Sequence, residues 1–64
     1  MTYKDIVKVL KRDGWQLVRT KGSHCQFKHP FKKGCVTVPQ HGNKDITMKV
    51  LESIERGTGL SLRR

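Results

Sequence analysis

The chain has 64 residues, of which 34 % are apolar, and no apolar run approaches the ~20 residues that a bilayer-spanning helix needs. That length leaves room for one core, excluding a second domain, and Lys4 and Lys8 inside the first apolar stretch exclude a signal peptide; one soluble, cytoplasmic domain over residues 1–64 is expected. Fourteen Lys and Arg against five Asp and Glu give a formal charge of +9, which favours a polyanionic partner, most simply nucleic acid.

The first segment reads as a helix, because Tyr3, Ile6, Val7 and Leu10 fall at i, i+3, i+4 and i+7 and stack on one face. Thr2 is placed to cap its first turn with Asp5 three residues on, and Gly14 suits the left-handed position that closes a helix. Three short segments rich in β-formers follow, 15–19, 23–29 and 35–39, separated by Lys21-Gly22 and by Pro30 through Gly34. A second helix is expected from Asp45 as N-cap to Arg56, with Val50, Leu51 and Ile54 as its buried stripe and Gly57 as its stop. Leu60 is positioned to fold back onto the core, and the Arg63-Arg64 end is expected to fray.

Register decides which strand residues share a face. A two-residue turn at Lys21-Gly22 would pair Leu17 with Gln26 and Trp15 with Lys28, mixing apolar and charged groups on one surface. A three-residue loop, Thr20-Lys21-Gly22, instead pairs Trp15 with Phe27 and Leu17 with Cys25 and is the expected arrangement. A four-residue loop from Pro30 to Lys33 then sets Phe27 opposite Val36 and Cys25 opposite Val38. One face would carry Trp15, Leu17, Cys25, Phe27, Val36 and Val38 under both helices; the other would present Gln16, Val18, His24, Gln26, Lys28, Cys35 and Thr37. The expected fold is α+β, a two-layer α-β-β-β-α sandwich with both helices on one face of a three-stranded antiparallel sheet, like the double-stranded RNA-binding domain.

All five acids lie outside residues 14–44, whereas Arg19, Lys21, Lys28, Lys32, Lys33, Lys44 and all three histidines lie inside it, so the middle of the chain is the binding candidate. The same register turns Cys25 and Cys35 to opposite faces, which argues against a disulfide. Cys25, His29, Cys35 and His41 have the atom types of a zinc site but lack the paired spacing that brings such ligands together, so no metal and no cofactor is expected.

Gly14-Trp15, then Arg19, Gly22-Ser23-His24, Phe27, His29-Pro30, Val38-Pro39 and His41 together make the chain resemble the HicA-type toxins over nearly its whole length. The resemblance implies a small basic protein with a double-stranded-RNA-binding-domain-like fold that cuts messenger RNA and is blocked by a HicB-type antitoxin. It also implies that His24, in the Gly-Ser-His triplet, is the catalytic histidine. The chain departs from the family at Lys49-Val50, where a Gly-Thr pair is common, and at Cys25.

The residue chemistry points the same way. Cleavage of RNA by attack of its own 2′-hydroxyl needs a group that exchanges a proton near neutral pH, and imidazole is the side chain with such an ordinary pKa. Arg19, Lys21 and Lys28 are nearest to His24 by register, Ser23 is given an orienting role, and Gln26, Lys32, Lys33 and His41 complete the expected RNA-binding set. His29 reads as structural, and Trp15 and Phe27 as core. The competing reading is a non-catalytic RNA-binding module of the double-stranded type; a third is a fold used only for protein contacts.

Overall fold

A computed structural model describes residues 1–62 and contains five elements: helix α1 (Tyr3–Arg12), strands β1 (Gln16–Lys21), β2 (His24–Lys28) and β3 (Cys35–Pro39), and helix α2 (Met48–Thr58). The strands form one antiparallel sheet in the order β1-β2-β3, giving the expected α-β-β-β-α architecture. The expected fraying at Arg63 and Arg64 lies outside the described residues. Among the described residues no helix is long and apolar enough to cross a membrane.

Helix α1 begins and ends where its sequence signals lie. Asp5 N–H donates to the Thr2 hydroxyl at 3.4 Å, and Thr2 N–H donates to the Asp5 carboxylate at 3.0 Å, a reciprocal capping box. At the other end Gly14 N–H donates to the Lys11 carbonyl at 3.1 Å and Trp15 N–H to the Leu10 carbonyl at 2.9 Å, the two bonds of a Schellman motif. Ile6 and Leu10 are its fully buried residues.

The β2–β3 pairing has the expected register, Phe27 opposite Val36 and Cys25 opposite Val38, and those four side chains form the sheet's share of the core. The helical share comes from Ile6 and Leu10 on α1 and Leu51 and Ile54 on α2, so both helices cover the same face. Trp15, buried to 1 % exposure just before β1, and Ile46 and Leu62 complete the cluster, with Leu60 packed partly buried against it.

The β1–β2 pairing corrects the expectation. The turn is the two residues Gly22-Ser23, with Lys21 opposite His24 and Thr20 opposite Cys25, and a bulge between Leu17 and Arg19 shifts the register so that Leu17 faces Phe27. Gly22 has φ +60° and Ser23 does not have a positive φ, the combination that a type II′ turn asks of its two central residues. Trp15 is not paired with Phe27 in the sheet; the ladder ends at Gln16 opposite Lys28, and the Trp15 backbone belongs to the α1 cap. Leu17 is not core either: it is 48 % exposed, because the helices make their main sheet contacts on β3 and leave β1 uncovered as the free edge.

Helix α2 is also displaced from its expected bounds. Thr47, not Asp45, is the N-cap, its hydroxyl accepting from Val50 N–H at 3.4 Å, while Asp45 bridges to Thr2 and lies 3.7 Å from the N-terminal ammonium. Gly57 does not stop the helix, which runs on to Thr58 and is closed by Gly59 at φ +77°. Gly57 instead sits where a Cβ would lie 3.2 Å from Val36 Cγ2, so the missing side chain lets α2 lie close against β3.

Gly14 combines two demands. Its φ is +104°, and a Cβ there would lie 2.9 Å from His29 Nε2. Gly42 also has a positive φ, +64°, with open space around it. Gly14→Ala is therefore expected to lower stability by more than the ~1–3 kcal/mol of backbone strain alone, and Gly42→Ala by no more than that strain. Urea denaturation of the two variants checks this, and equal losses would show that the His29 contact is irrelevant.

Candidate functional site

His24 opens β2, next to the Gly22-Ser23 turn, on the sheet face opposite Cys25 and Phe27. Its side chain is exposed, and among the described residues its ring has no hydrogen-bond partner. It looks into a cleft of about 420 Å³ whose walls are the open face of β2 and β3, with Thr37 and Pro39, and one side of α2, with Lys49, Ser53 and Arg56. An imidazole, two cations and two hydroxyls thus converge on one concavity. Such a set can bind a phosphate, neutralise charge developing on it and move a proton beside it.

The cationic side of α2 follows from helical spacing. Lys49, Ser53 and Arg56 lie at i, i+4 and i+7 and form one row, adjacent to the Leu51-Ile54-Thr58 row that enters the core. These three residues were absent from the sequence-derived set. The signal that would have found them is that row together with the strand register that puts Pro39 opposite His24 and Thr37 on the same face, since the close approach of α2 to β3 brings row and strand together.

The three imidazoles have different surroundings. His29 Nε2 lies 2.7 Å from the Asp13 carbonyl, and its Nδ1 accepts from Phe31 N–H at 3.0 Å and Lys32 N–H at 3.2 Å. Nδ1 accepts, so Nε2 carries the hydrogen and donates to Asp13. The ring also stands edge-on to Trp15 at 5.3 Å, so His29 is structural, as its sequence context indicates. His41 is exposed, its carbonyl accepting from Lys44 N–H at 3.3 Å. Gln40 N–H donates to the Ser23 carbonyl at 2.7 Å, which puts His41 at the same end of the sheet as His24. Tyr3, whose phenol is pushed up to about 12 by burial and then by the neighbouring Cys25, stays neutral and is no proton carrier near pH 7.

The other expected binding residues divide. Lys21 is directly opposite His24 and Arg19 is opposite Gln26, so all four lie on the sheet face turned away from Cys25 and Phe27. Ser23 is half-buried, its carbonyl engaged by Gln40. Gln26 accepts from the exposed Cys35 thiol at 3.8 Å; Lys28 and Lys33 are exposed at the far end of the sheet. Lys32 is tied down, its ammonium 2.6 Å from the Asp13 carboxylate and 3.1 Å from the Thr58 carbonyl at the end of α2. Cys25 is buried and Cys35 exposed, and both are free thiols. Among the described residues no three His, Cys, Asp or Glu side chains are grouped to hold a metal ion.

The sequence pattern of the family described as "HicA toxin of bacterial toxin-antitoxin" matches residues 3–60. The chain belongs to the HicA toxin family. As a HicA toxin it belongs to a two-component system, so its counterpart is an antitoxin. No curated protein matches the chain at a significant level.

In this HicA chain the tie between Asp13 and Lys32 has a consequence for pH. The Asp13 carboxyl is held below its ordinary 3.8, first by the hydrogen bond from Lys32, and also by one from the Trp15 indole at 3.1 Å, against the opposing effect of burial. A carboxyl lowered in the folded state adds stability that is complete above its ordinary value and disappears as the pH falls through the lowered one. The stability advantage of wild type over Asp13→Asn, measured by urea denaturation, is therefore expected to be full near neutrality and to shrink as the pH drops below 3.8. A gap that does not change with pH would contradict this role.

Proposed function

We propose that this HicA chain is an endoribonuclease acting on messenger RNA in the cytoplasm, with His24 as its proton-transfer residue. The observation that carries the reading is the exposed His24 ring facing Lys49 and Arg56 across one cleft. In the reaction the RNA 2′-hydroxyl attacks the adjacent phosphorus, the P–O5′ bond breaks, and the products are a 2′,3′-cyclic phosphate and a 5′-hydroxyl end. One proton leaves the 2′-oxygen and one reaches the departing 5′-oxygen. A single imidazole serves one of these transfers and solvent the other, and such catalysis contributes ~10²- to 10⁴-fold in rate.

Lys49 and Arg56 are suited to the negative charge that grows on the phosphoryl oxygens, Arg56 with the fork geometry that matches a phosphate. Lys21, Arg19 and Lys28 extend the positive field along the sheet and guide the rest of the strand, with Lys33, Gln26, Ser23 and His41 at its margins. Lys32 serves the fold rather than the ligand. The antitoxin is of the HicB type and silences the toxin by covering this cationic cleft, for which its +9 charge makes an acidic surface the natural complement.

His24→Ala is expected to reduce cleavage of a defined RNA by ~10² or more while circular dichroism and RNA affinity stay close to wild type. Cleavage by wild type is expected to persist in chelator, since proton transfer and charge stabilisation both come from side chains. Fragments ending in 2′,3′-cyclic phosphate support the mechanism. RNA that is bound but left intact by wild type would favour the non-catalytic binding module, and full cleavage by His24→Ala would remove His24 from the chemistry.

A further inference from the structure

The cleft at His24 does not end at Ser53. A second cavity of about 280 Å³ lies between β3 and α2, lined by Cys35, Val36, Ile54 and Gly57, and it shares Thr37 and Ser53 with the first. The two cavities adjoin at Thr37 and Ser53 and together follow β3 from Pro39, opposite His24, to Cys35 at the far end, and are treated as one groove. Four residue steps at ~3.4 Å make it about 14 Å long. Among the described residues that line it none is acidic, and its polar groups are His24, Lys49, Arg56, the Ser53 and Thr37 hydroxyls and the Cys35 thiol. Val50, Pro39 and Val36 add apolar surface.

We infer that this β3–α2 groove is the track for an unpaired RNA strand, so that the substrate enters as single-stranded RNA and not as a duplex lying across the sheet. The inference rests on the proposed action on RNA and adds where the strand lies and in what form. Strand β3 and helix α2 flank a depression open to solvent, and the cavity at His24 falls within the ~300–1,000 Å³ of a site for one small ligand, the size class of a single nucleotide. At ~3.4 Å per stacked nucleotide, and roughly twice that when extended, 14 Å takes about two to four nucleotides. A duplex presents its phosphates over a broad surface and is read by shape across its minor groove, a footprint wider than this depression between one strand and one helix. The chemistry agrees: in an A-form helix the 2′-oxygen is not in line with the P–O5′ bond, so a nucleotide must leave the stack before it can be cut. Polar wall groups meet the phosphates, and the apolar patches meet the faces of unstacked bases.

The test uses the whole chain carrying His24→Ala, so that ligands stay intact, and a labelled 12-nucleotide RNA free or annealed to its complement, at one fixed salt concentration. The unpaired strand is expected to bind at least about tenfold more tightly than the duplex. Adding Ser53→Trp, which fills the groove where its two halves meet, is expected to cost about tenfold or more on the unpaired strand. Arg56→Glu, an exposed change that leaves packing alone, is expected to cost at least as much and serves if the tryptophan variant does not fold. Equal or tighter binding of the duplex, unchanged binding in both variants, or no binding of either RNA overturns the inference. The proposed nuclease function is judged separately by wild-type cleavage: intact RNA with preferential binding of the unpaired strand removes the nuclease and keeps the groove, and cleavage with duplex preference does the reverse.

Discussion

The close seating of α2 on β3 is the contact on which the rest of this small protein depends. It is permitted at Gly57, where a Cβ would crowd Val36 Cγ2 at 3.2 Å. A glycine inside a helix costs ~1 kcal/mol relative to alanine, and here that cost is offset by burial of Leu51 and Ile54 against the strand. The same seating turns the Lys49-Ser53-Arg56 row toward the open face of the sheet, so that one helix completes the core on one side and supplies cations to His24 on the next. With α2 held further away, His24 would be an imidazole on a flat surface.

The opposite end of the sheet is braced by a separate polar knot. Asp13 ends α1, accepts from Trp15 and Lys32 through its carboxylate and from His29 through its carbonyl, while Lys32 reaches on to the last turn of α2. Both helices and the β2–β3 loop are thereby joined at one point, about the length of a strand from His24. This separates the work of the histidines: His29 is consumed by structure where chain ends meet, and His24 is left open where the sheet meets the cleft.

Much of the fold was legible in the sequence because local signals and packing agreed. The Thr2-Asp5 box, the Gly14 cap and the apolar stripe of α1 all point to one helix, and the alternation of Cys25 and Phe27 against Val36 and Val38 admits one sensible register. The β1 register was not legible. A bulge at Val18 lets the hairpin keep a two-residue turn, and Leu17 looked like core only under the assumption that the helices cover all three strands, whereas they sit over β3. The ends of α2 were misplaced for a related reason: Asp45 and Gly57 have the composition of a cap and a stop, but one pairs with the N-terminal segment and the other relieves a tertiary contact. His24 was singled out through the Gly-Ser-His triplet, but the α2 residues that line the same cleft were not, because charge was weighed along the acid-free middle of the chain and Lys49 and Arg56 lie beyond it. Lys32, counted there as a cation for the ligand, is held by the Asp13 carboxylate and the Thr58 carbonyl.

The central claim is that His24 and the cationic row of α2 act on one ligand. Heteronuclear NMR of uniformly labelled protein, titrated with a short 2′-deoxy oligonucleotide that cannot be cut, tests it most directly. The account predicts that the His24 ring resonances and the backbone amides of Lys49, Ser53 and Arg56 move together along a single saturating curve. Perturbations confined to β1 and the β2–β3 loop, with α2 unmoved while His24 responds, would contradict it.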